Sequence, residues 1–302
     1  MPLPEVASAE TVGGFQIPEA DFREICALVQ QRLGIELRTG KESLVTLRLA
    51  EPMRRGGFCT AQEYLQAVKR DPNGPAMLEF IDCLTTNHTS FLRESSHFEF
   101  WQQEVLLVQK HRPEQPVWCA ASSSGEEPYT MAMCAVEALG EAAYRQVRIL
   151  ATDISPGILD QAKRAVYREE RLAPVSAAWR RRFFLRGEGK WHGYFRVKPE
   201  IKQMVEFRRL NLIEPLPPIG PFSSIFCRNV MIYFNCATRG LVVDQMRGRL
   251  EYGGYLFVGH AESLNGMDSK MEYVKPSVYR LAGLGASAGT GTRMGRTTEE
   301  QA

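Results

Sequence analysis

Four short stretches concentrate the side chains that could do chemistry. In AASSSGEEPY (120–129), the apolar run PVWCAAS (116–122) gives way to a serine-rich turn and then to Glu126 and Glu127, at the start of a helical pattern. A second apolar run, VRILATDIS (147–155), ends in Asp153. In an open α/β sheet, ligands bind at the carboxyl ends of the strands, where these acids stand. The turn has one glycine, Gly125, and lacks both the G-x-G-x-x-G fingerprint and the Gly-Lys-Ser/Thr of a phosphate loop. Carboxylates there repel a pyrophosphate but accept hydrogen bonds from an ammonium or a sugar hydroxyl. Asp153 has the position of the acid that grips ribose in nucleoside-binding sheets. A nucleoside carrying an amine suits the pair, and S-adenosylmethionine is such a ligand. Taken alone, either glutamate is equally well explained by the helix dipole.

The other two stretches are TTNHTSFLRESSHF (85–98) and FCRNVMIYF (226–234). The first carries Asn87, Thr89, Arg93 and two histidines. His88 and His97 lie nine residues apart, which is no helical metal spacing, so no metal site is expected. The second sets Arg228 and Asn229 inside what reads as an apolar strand. Polar groups there are costly unless paired, which implies a ligand or an internal ion pair.

Residues 1–85 read as helices. Phe22, Ile25, Cys26, Val29 and Leu33 form one apolar stripe between Pro18 and Gly34. A second helix is expected from about Glu42 to Met53, with Pro52 bending or ending it. Thr60-Ala-Gln-Glu63 is a capping box for a third, and Met77, Phe80, Ile81 and Leu84 make a fourth stripe. After residue 115, strands alternate with helical patterns, including a helix over PGILDQAKRAVY (156–167). This spacing points to a doubly wound, mostly parallel α/β sheet. Residues 180–204 resemble a small antiparallel ribbon inserted in it, and residues 284–302 read as a disordered tail.

Composition narrows the function classes. The chain is 44% hydrophobic and 24% charged, which excludes a fibrous or wholly disordered protein. No apolar run approaches the roughly 18 residues of a membrane helix, and the N-terminus has no secretory pattern. Seven cysteines without a Cys-x-x-Cys pair fit a reducing cytoplasm. The net charge of +2 hides an asymmetry: residues 1–85 carry −3 and residues 163–209 carry +9. The basic stretch is either a solvated face or a surface for an anionic partner.

Taken together, the strings TTNHTSFLRE, AASSSGEEPY, ATDIS, VEFRRLNL, FCRNVMIYF and GGYLFVGHAESL, with FLRGEG in the ribbon, occur in one order over residues 15–281. The chain thereby resembles the CheR family of chemotaxis receptor methyltransferases. The resemblance implies a small all-helical domain (15–84) and a Rossmann-like methyltransferase domain (85–283) with a β-subdomain at about 180–204. It implies transfer of a methyl group from S-adenosylmethionine to glutamates of methyl-accepting receptors, giving methyl esters and S-adenosylhomocysteine. It carries cofactor contacts over to Asn87, Thr89, Arg93, Glu127, Asp153, Asn211, Leu212, Arg228 and Asn229. Arg93 and Tyr233 match the pair associated with methyl transfer. The implied partners are the cytoplasmic domain of the receptor and, at the β-subdomain, a receptor C-terminal peptide. The membrane is then reached only through the receptor, and nucleic acid is not a partner. Two positions depart from the family pattern. Leu92 replaces a second Phe, and the second helix keeps only Arg48, Arg54 and Arg55 of the usual arginine run. Glu126 is expected to matter less than Glu127 if it points to solvent.

Overall fold

The computed structural model describes residues 17–37 and 40–283. The tail expected at 284–302 and the first two residues of the expected helical domain lie outside the described residues.

Four helices open the chain: α1 (Glu19–Leu33), α2 (Glu42–Arg55), α3 (Ala61–Arg70) and α4 (Pro75–Leu84). Gly34 closes α1 in the left-handed conformation, and the Thr60–Glu63 capping box starts α3 with both reciprocal bonds made. Pro52 sits inside α2, which runs on to Arg55 rather than stopping. Phe22, Ile25, Val29, Leu49, Tyr64, Phe80 and Ile81 bury the inner faces in a core of their own.

A short helix, α5 (Ser96–Phe100), continues as one π-type turn to Leu106 and leads into the sheet. Seven strands form it: β1 (Gln115–Ala120), β2 (Val147–Asp153), β6 (Val205–Arg209), β7 (Phe222–Cys227), β8 (Leu250–Val258), β9 (Glu272–Lys275) and β10 (Val278–Arg280), in the order β6-β2-β1-β7-β8-β10-β9. The first five in that order are parallel; β10 pairs antiparallel with both β8 and β9. The chain runs outward from β1 to β6 and then crosses to β7 on β1's other side. The switch in strand order therefore falls between β1 and β7, where a ligand crevice opens at the carboxyl ends. Buried indoles fix the register: Trp118 Nε1 donates to Thr152 Oγ1 (2.9 Å) and Trp101 Nε1 to Ser224 Oγ (3.1 Å).

Three sequence readings change here. The helix expected over 156–167 ends at Arg164, and Ala165 turns left-handed (φ 56°). That turn releases β3 (Val166–Arg168), which pairs with β5 (Tyr194–Val197), itself paired with β4 (Phe184–Arg186). The inserted ribbon is thus a three-stranded sheet with one strand contributed from upstream. Strand β7 stops at Cys227, so Arg228 and Asn229 lie just beyond its end and not within it. Strands β9 and β10 were not anticipated.

The turn after β1 depends on Gly125, which has φ 95° and caps helix α6 (Glu126–Leu139). A Cβ there would meet Tyr167 Oη at 2.9 Å and the Ala162 Cβ at 3.1 Å. Gly125→Ala should therefore cost at least about 1–2 kcal/mol from the left-handed backbone alone. Urea denaturation of the variant checks this; an unchanged midpoint would mean the turn can relax freely.

Candidate active site

At the carboxyl ends of β1, β2, β6 and β7 lies a cleft, where ligands of open α/β sheets bind. All ten expected site residues line it: Asn87, Thr89, Arg93, Glu127, Asp153, Asn211, Leu212, Arg228, Asn229 and Tyr233. Leu33 and Ile35, from the end of α1, close one wall.

Asp153 ends β2 with its carboxylate buried. Its Oδ2 accepts from Ser123 N (2.9 Å) and its Oδ1 from Ser155 N (3.1 Å). Burial pushes its carboxyl above its ordinary range, against the pull of these main-chain donors. Glu127 stands in the first turn of α6; its Oε2 lies 3.1 Å from Arg228 Nη1, and its Oε1 accepts from Cys119 Sγ at 3.5 Å. Burial also raises the Glu127 carboxyl, and Arg228 only partly offsets it.

Arg228 is the hub. Its side chain is wholly buried and pairs with Glu94 Oε2 (3.1 Å) as well as Glu127, while Nη2 also donates to the Arg93 carbonyl. Asn229 Nδ2 donates to Glu94 Oε1 (3.2 Å). Burial opposes ionisation of Glu94, but Arg228 and the Asn229 amide together hold its carboxyl below the ordinary range. Arg93 donates to the His88 carbonyl (3.1 Å) and has no carboxylate partner among the described residues. Asn211 Nδ2 donates to the Arg32 carbonyl and to Glu214 Oε1, both at 2.9 Å, tying the wall after β6 to the helical domain.

The backbone around the cleft is unusual. Of eight described non-glycine residues with positive φ, five (Leu92, Glu94, Ala121, Ser123 and Asn229) line the cleft or flank a residue that does. Left-handed non-glycine residues are costly and persist where the surroundings over-determine them, as at binding sites. Arg93 is held between two of them.

Glu126 does not point to solvent. It is fully buried, with Oε1 accepting from Arg171 Nε (2.9 Å) and Oε2 from Ser124 Oγ (2.6 Å). The two neighbouring glutamates thus point to opposite sides of the turn. His88 and His97 do not come together as a pair. His97 packs edge-on against His260, with Glu94 3.6 Å from its Nδ1. Glu94 already serves Arg228 and Asn229, and that guanidinium opposes a cation beside it. Sequence reasoning missed Glu94 and Glu262, whose Oε2 and Oε1 accept from Asn229 N (2.9 Å) and Ile232 N (3.1 Å).

Two family models match the chain: the CheR methyltransferase all-alpha domain over residues 20–85, and the CheR methyltransferase SAM-binding domain over residues 87–280. Chemotaxis protein methyltransferase 2 of Pseudomonas aeruginosa is 39% identical, over 89% of this chain and 95% of its own. The chemotaxis protein methyltransferase of Salmonella typhimurium is 36% identical, over 88% and 91%, and that of Escherichia coli 35%, over 88% and 92%. The cleft suits S-adenosylmethionine chemically. Two acceptor carboxylates, Glu127 and Asp153, answer the donors of an ammonium and a ribose, and Leu33, Ile35, Leu210 and Leu212 offer apolar wall to a base.

Two expectations follow for stability. Glu126→Ala strips Arg171 and Ser124 of their partner and should cost about 1.5–3 kcal/mol, the scale of charge-assisted hydrogen bonds; thermal unfolding measures it. His97 is buried, and desolvation, with Arg228 next in weight, lowers its pKa from 6.5 to about 3. The unfolded chain then binds a proton that the folded one refuses. Stability is complete above about pH 6.5 and falls as the pH drops toward 3, by up to about 1.4 kcal/mol per pH unit. Unfolding free energies of wild type and His97→Asn between pH 7 and 4 should show a flatter curve for the variant; parallel curves would refute the assignment.

Proposed function

The chain belongs to the CheR methyltransferase family, and we propose that its acceptors are glutamate side chains in the cytoplasmic domain of methyl-accepting chemotaxis receptors. It is an S-adenosylmethionine-dependent chemotaxis protein methyltransferase. The observation that carries the finer reading is the convergence of all ten motif residues on one cleft.

In this reading Glu127 receives the amino group of the cofactor and Asp153 its ribose hydroxyls. Asn211 and Leu212 lie on the adenine side. Asn87 and Thr89 cover the cofactor from the N-terminal side, and Arg228 with Asn229 keeps Glu127 in place. The bound cofactor supplies an activated sulfonium methyl. The acceptor needs no deprotonation, because a glutamate with a pKa of about 4.3 is already anionic at neutral pH. The protein's task is alignment and exclusion of water, worth up to roughly 7–11 kcal/mol in well-oriented systems. Arg93, free of any carboxylate partner among the described residues, attracts and orients the incoming carboxylate. Tyr233, which lines the same cleft, completes that alignment, and neither acts as a general base. The products are a glutamate methyl ester and S-adenosylhomocysteine.

The small sheet supports a second contact with the receptor. A groove is lined by Val166, Leu185, Arg186, Trp191, Tyr194 and Arg196, and strand β4 forms one edge of the same sheet among the described residues. An edge of that kind accepts a peptide strand, and the arginines favour an acidic tail. Several basic residues of the +9 stretch are meanwhile consumed internally. Arg171 pairs with Glu126, Arg182 with Glu137 and Arg208 with Glu206, while Arg180 caps the Leu172 and Val175 carbonyls. That pattern favours a peptide over a nucleic-acid backbone as the partner.

Incubation with tritiated S-adenosylmethionine and receptor-containing membranes should place base-labile label on the receptor band. In parallel, Glu127→Gln should weaken binding of S-adenosylhomocysteine by about 10- to 100-fold in calorimetry, the equivalent of one charge-assisted hydrogen bond. Label that resists base, or no label with active enzyme, would overturn glutamate esterification. Unchanged affinity would overturn the role of Glu127.

A further inference from the structure

We infer that Glu262 is a positioning residue for methyl transfer, a clamp that holds the Arg228–Tyr233 turn in its working shape. Glu262 lies outside the cleft lining, in the turn after β8, and is 7% exposed. Its carboxylate makes no ion pair among the described residues. Instead it accepts three main-chain N–H groups: Gly259 (2.6 Å) and Asn229 (2.9 Å) on Oε2, and Ile232 (3.1 Å) on Oε1.

The local backbone explains why those donors converge. Asn229 is left-handed (φ 58°) and is followed by one 3-10 turn, Met231–Tyr233. Successive residues of such mixed handedness turn their N–H groups toward one point, a concavity that binds anions. Here the chain fills it with its own carboxylate. Gly259 makes the approach possible: a Cβ on it would lie 2.4 Å from Asn229 Nδ2 and 2.9 Å from both Asn229 N and Glu262 Oε2. The far end of the same turn is pinned to the helical domain, where the Tyr233 carbonyl accepts from Glu36 N (2.9 Å) and Phe234 bridges Ile35. Glu262 is thus the partner of the N–H groups at 229 and 232, on the segment that delivers Arg228, Asn229 and Tyr233 to the cleft. Without it those donors are unsatisfied, and the turn loses the interaction that sets where Tyr233 stands relative to Arg93.

This inference rests on the proposed reaction only for its rate readout. Glu262→Gln keeps one acceptor oxygen and the side-chain shape, whereas Glu262→Ala keeps neither. Methyl transfer to receptor membranes should fall about 10-fold for Gln and about 100-fold or more for Ala, the scale of a small misplacement of aligned groups. The loss should fall in kcat, with KM for receptor changed less than threefold, because Glu262 lies outside the cleft. Circular dichroism and the melting temperature establish the folded fraction, and rates are expressed per folded molecule. If Ala does not fold, Gln alone carries the test. Wild-type kcat in folded Gln, or losses that vanish after correction for folded fraction, would overturn the clamp. Should wild type label no receptor, the proposed acceptor fails instead. The clamp is then judged by affinity for S-adenosylhomocysteine, which a displaced Arg228–Asn229 turn must lower and an unaffected one leaves at the wild-type value.

Discussion

A single buried cation organises this protein's chemistry. The Arg228 side chain is excluded from solvent and rests 5.1 Å from the Phe98 ring centroid. An unpaired guanidinium in that position would cost several kcal/mol. Neutralising it requires Glu94, from the segment before the sheet, and Glu127, from the first turn of α6, to meet at the end of β7. Three segments, the outermost 134 residues apart in sequence, are thereby locked at one point. The same guanidinium acts unequally on its two carboxylates. Glu94, with the Asn229 amide also on it, is held ionised below its usual range, while Glu127 is displaced upward by burial. A carboxylate poised in that way gains most from a further positive group in the cleft, such as an ammonium.

The helical domain is part of the same construction. Gly34 has φ 70°, and a Cβ there would meet Ile213 and Thr238 side chains at 2.8 and 2.9 Å. Close approach at that glycine brings Leu33 and Ile35 against the cleft and lets residue 36 donate to the Tyr233 carbonyl. Asp82, at the other end of the domain, accepts from Gly157 N (3.2 Å), at the start of the helix that follows β2. The domain thus serves as a wall of the site whatever surface it offers outward.

Much of this was legible in the sequence where a general rule fixes the position. Asp153 and the Glu126–Glu127 pair follow from the rule that ligands meet the carboxyl ends of parallel strands, with Glu127 singled out by the resemblance alone, and the α3 cap follows from Thr60 and Glu63. What stayed hidden depended on geometry without a periodic signal. Leu159, Ala162 and Val166 continue one helical stripe, so only the left-handed turn at Ala165 reveals that β3 begins there. Val230 to Phe234 are mostly apolar and read as more strand, which obscured the turn at Asn229. Glu126 and Glu127 are adjacent and chemically identical. Which one faces the cleft is decided by Arg171 on one side and Arg228 on the other, both distant in sequence. Strands of three and four residues such as β10 and β9 carry too few positions for an alternation to register.

The last constraint is electrostatic. The proposed glutamate acceptor would approach a site with four carboxylates in or beside it, those of Glu94, Glu127, Asp153 and Glu262, which would repel it if left bare. The fold consumes each of them. Glu94 is taken by Arg228 and Asn229, Asp153 by the N–H groups of Ser123 and Ser155, Glu262 by three main-chain N–H groups, and Glu127 by Arg228. Arg93 remains as a cleft guanidinium that no described carboxylate neutralises, donating only to the His88 carbonyl. An incoming anion therefore meets one uncommitted positive charge against a background of acids already satisfied. Left-handed backbone flanks Arg93 on both sides, at Leu92 (φ 56°) and Glu94 (φ 55°). In the proposed reaction the nucleophile is already ionised and the methyl already activated, so the field at the mouth and the alignment behind it are what the protein has left to supply.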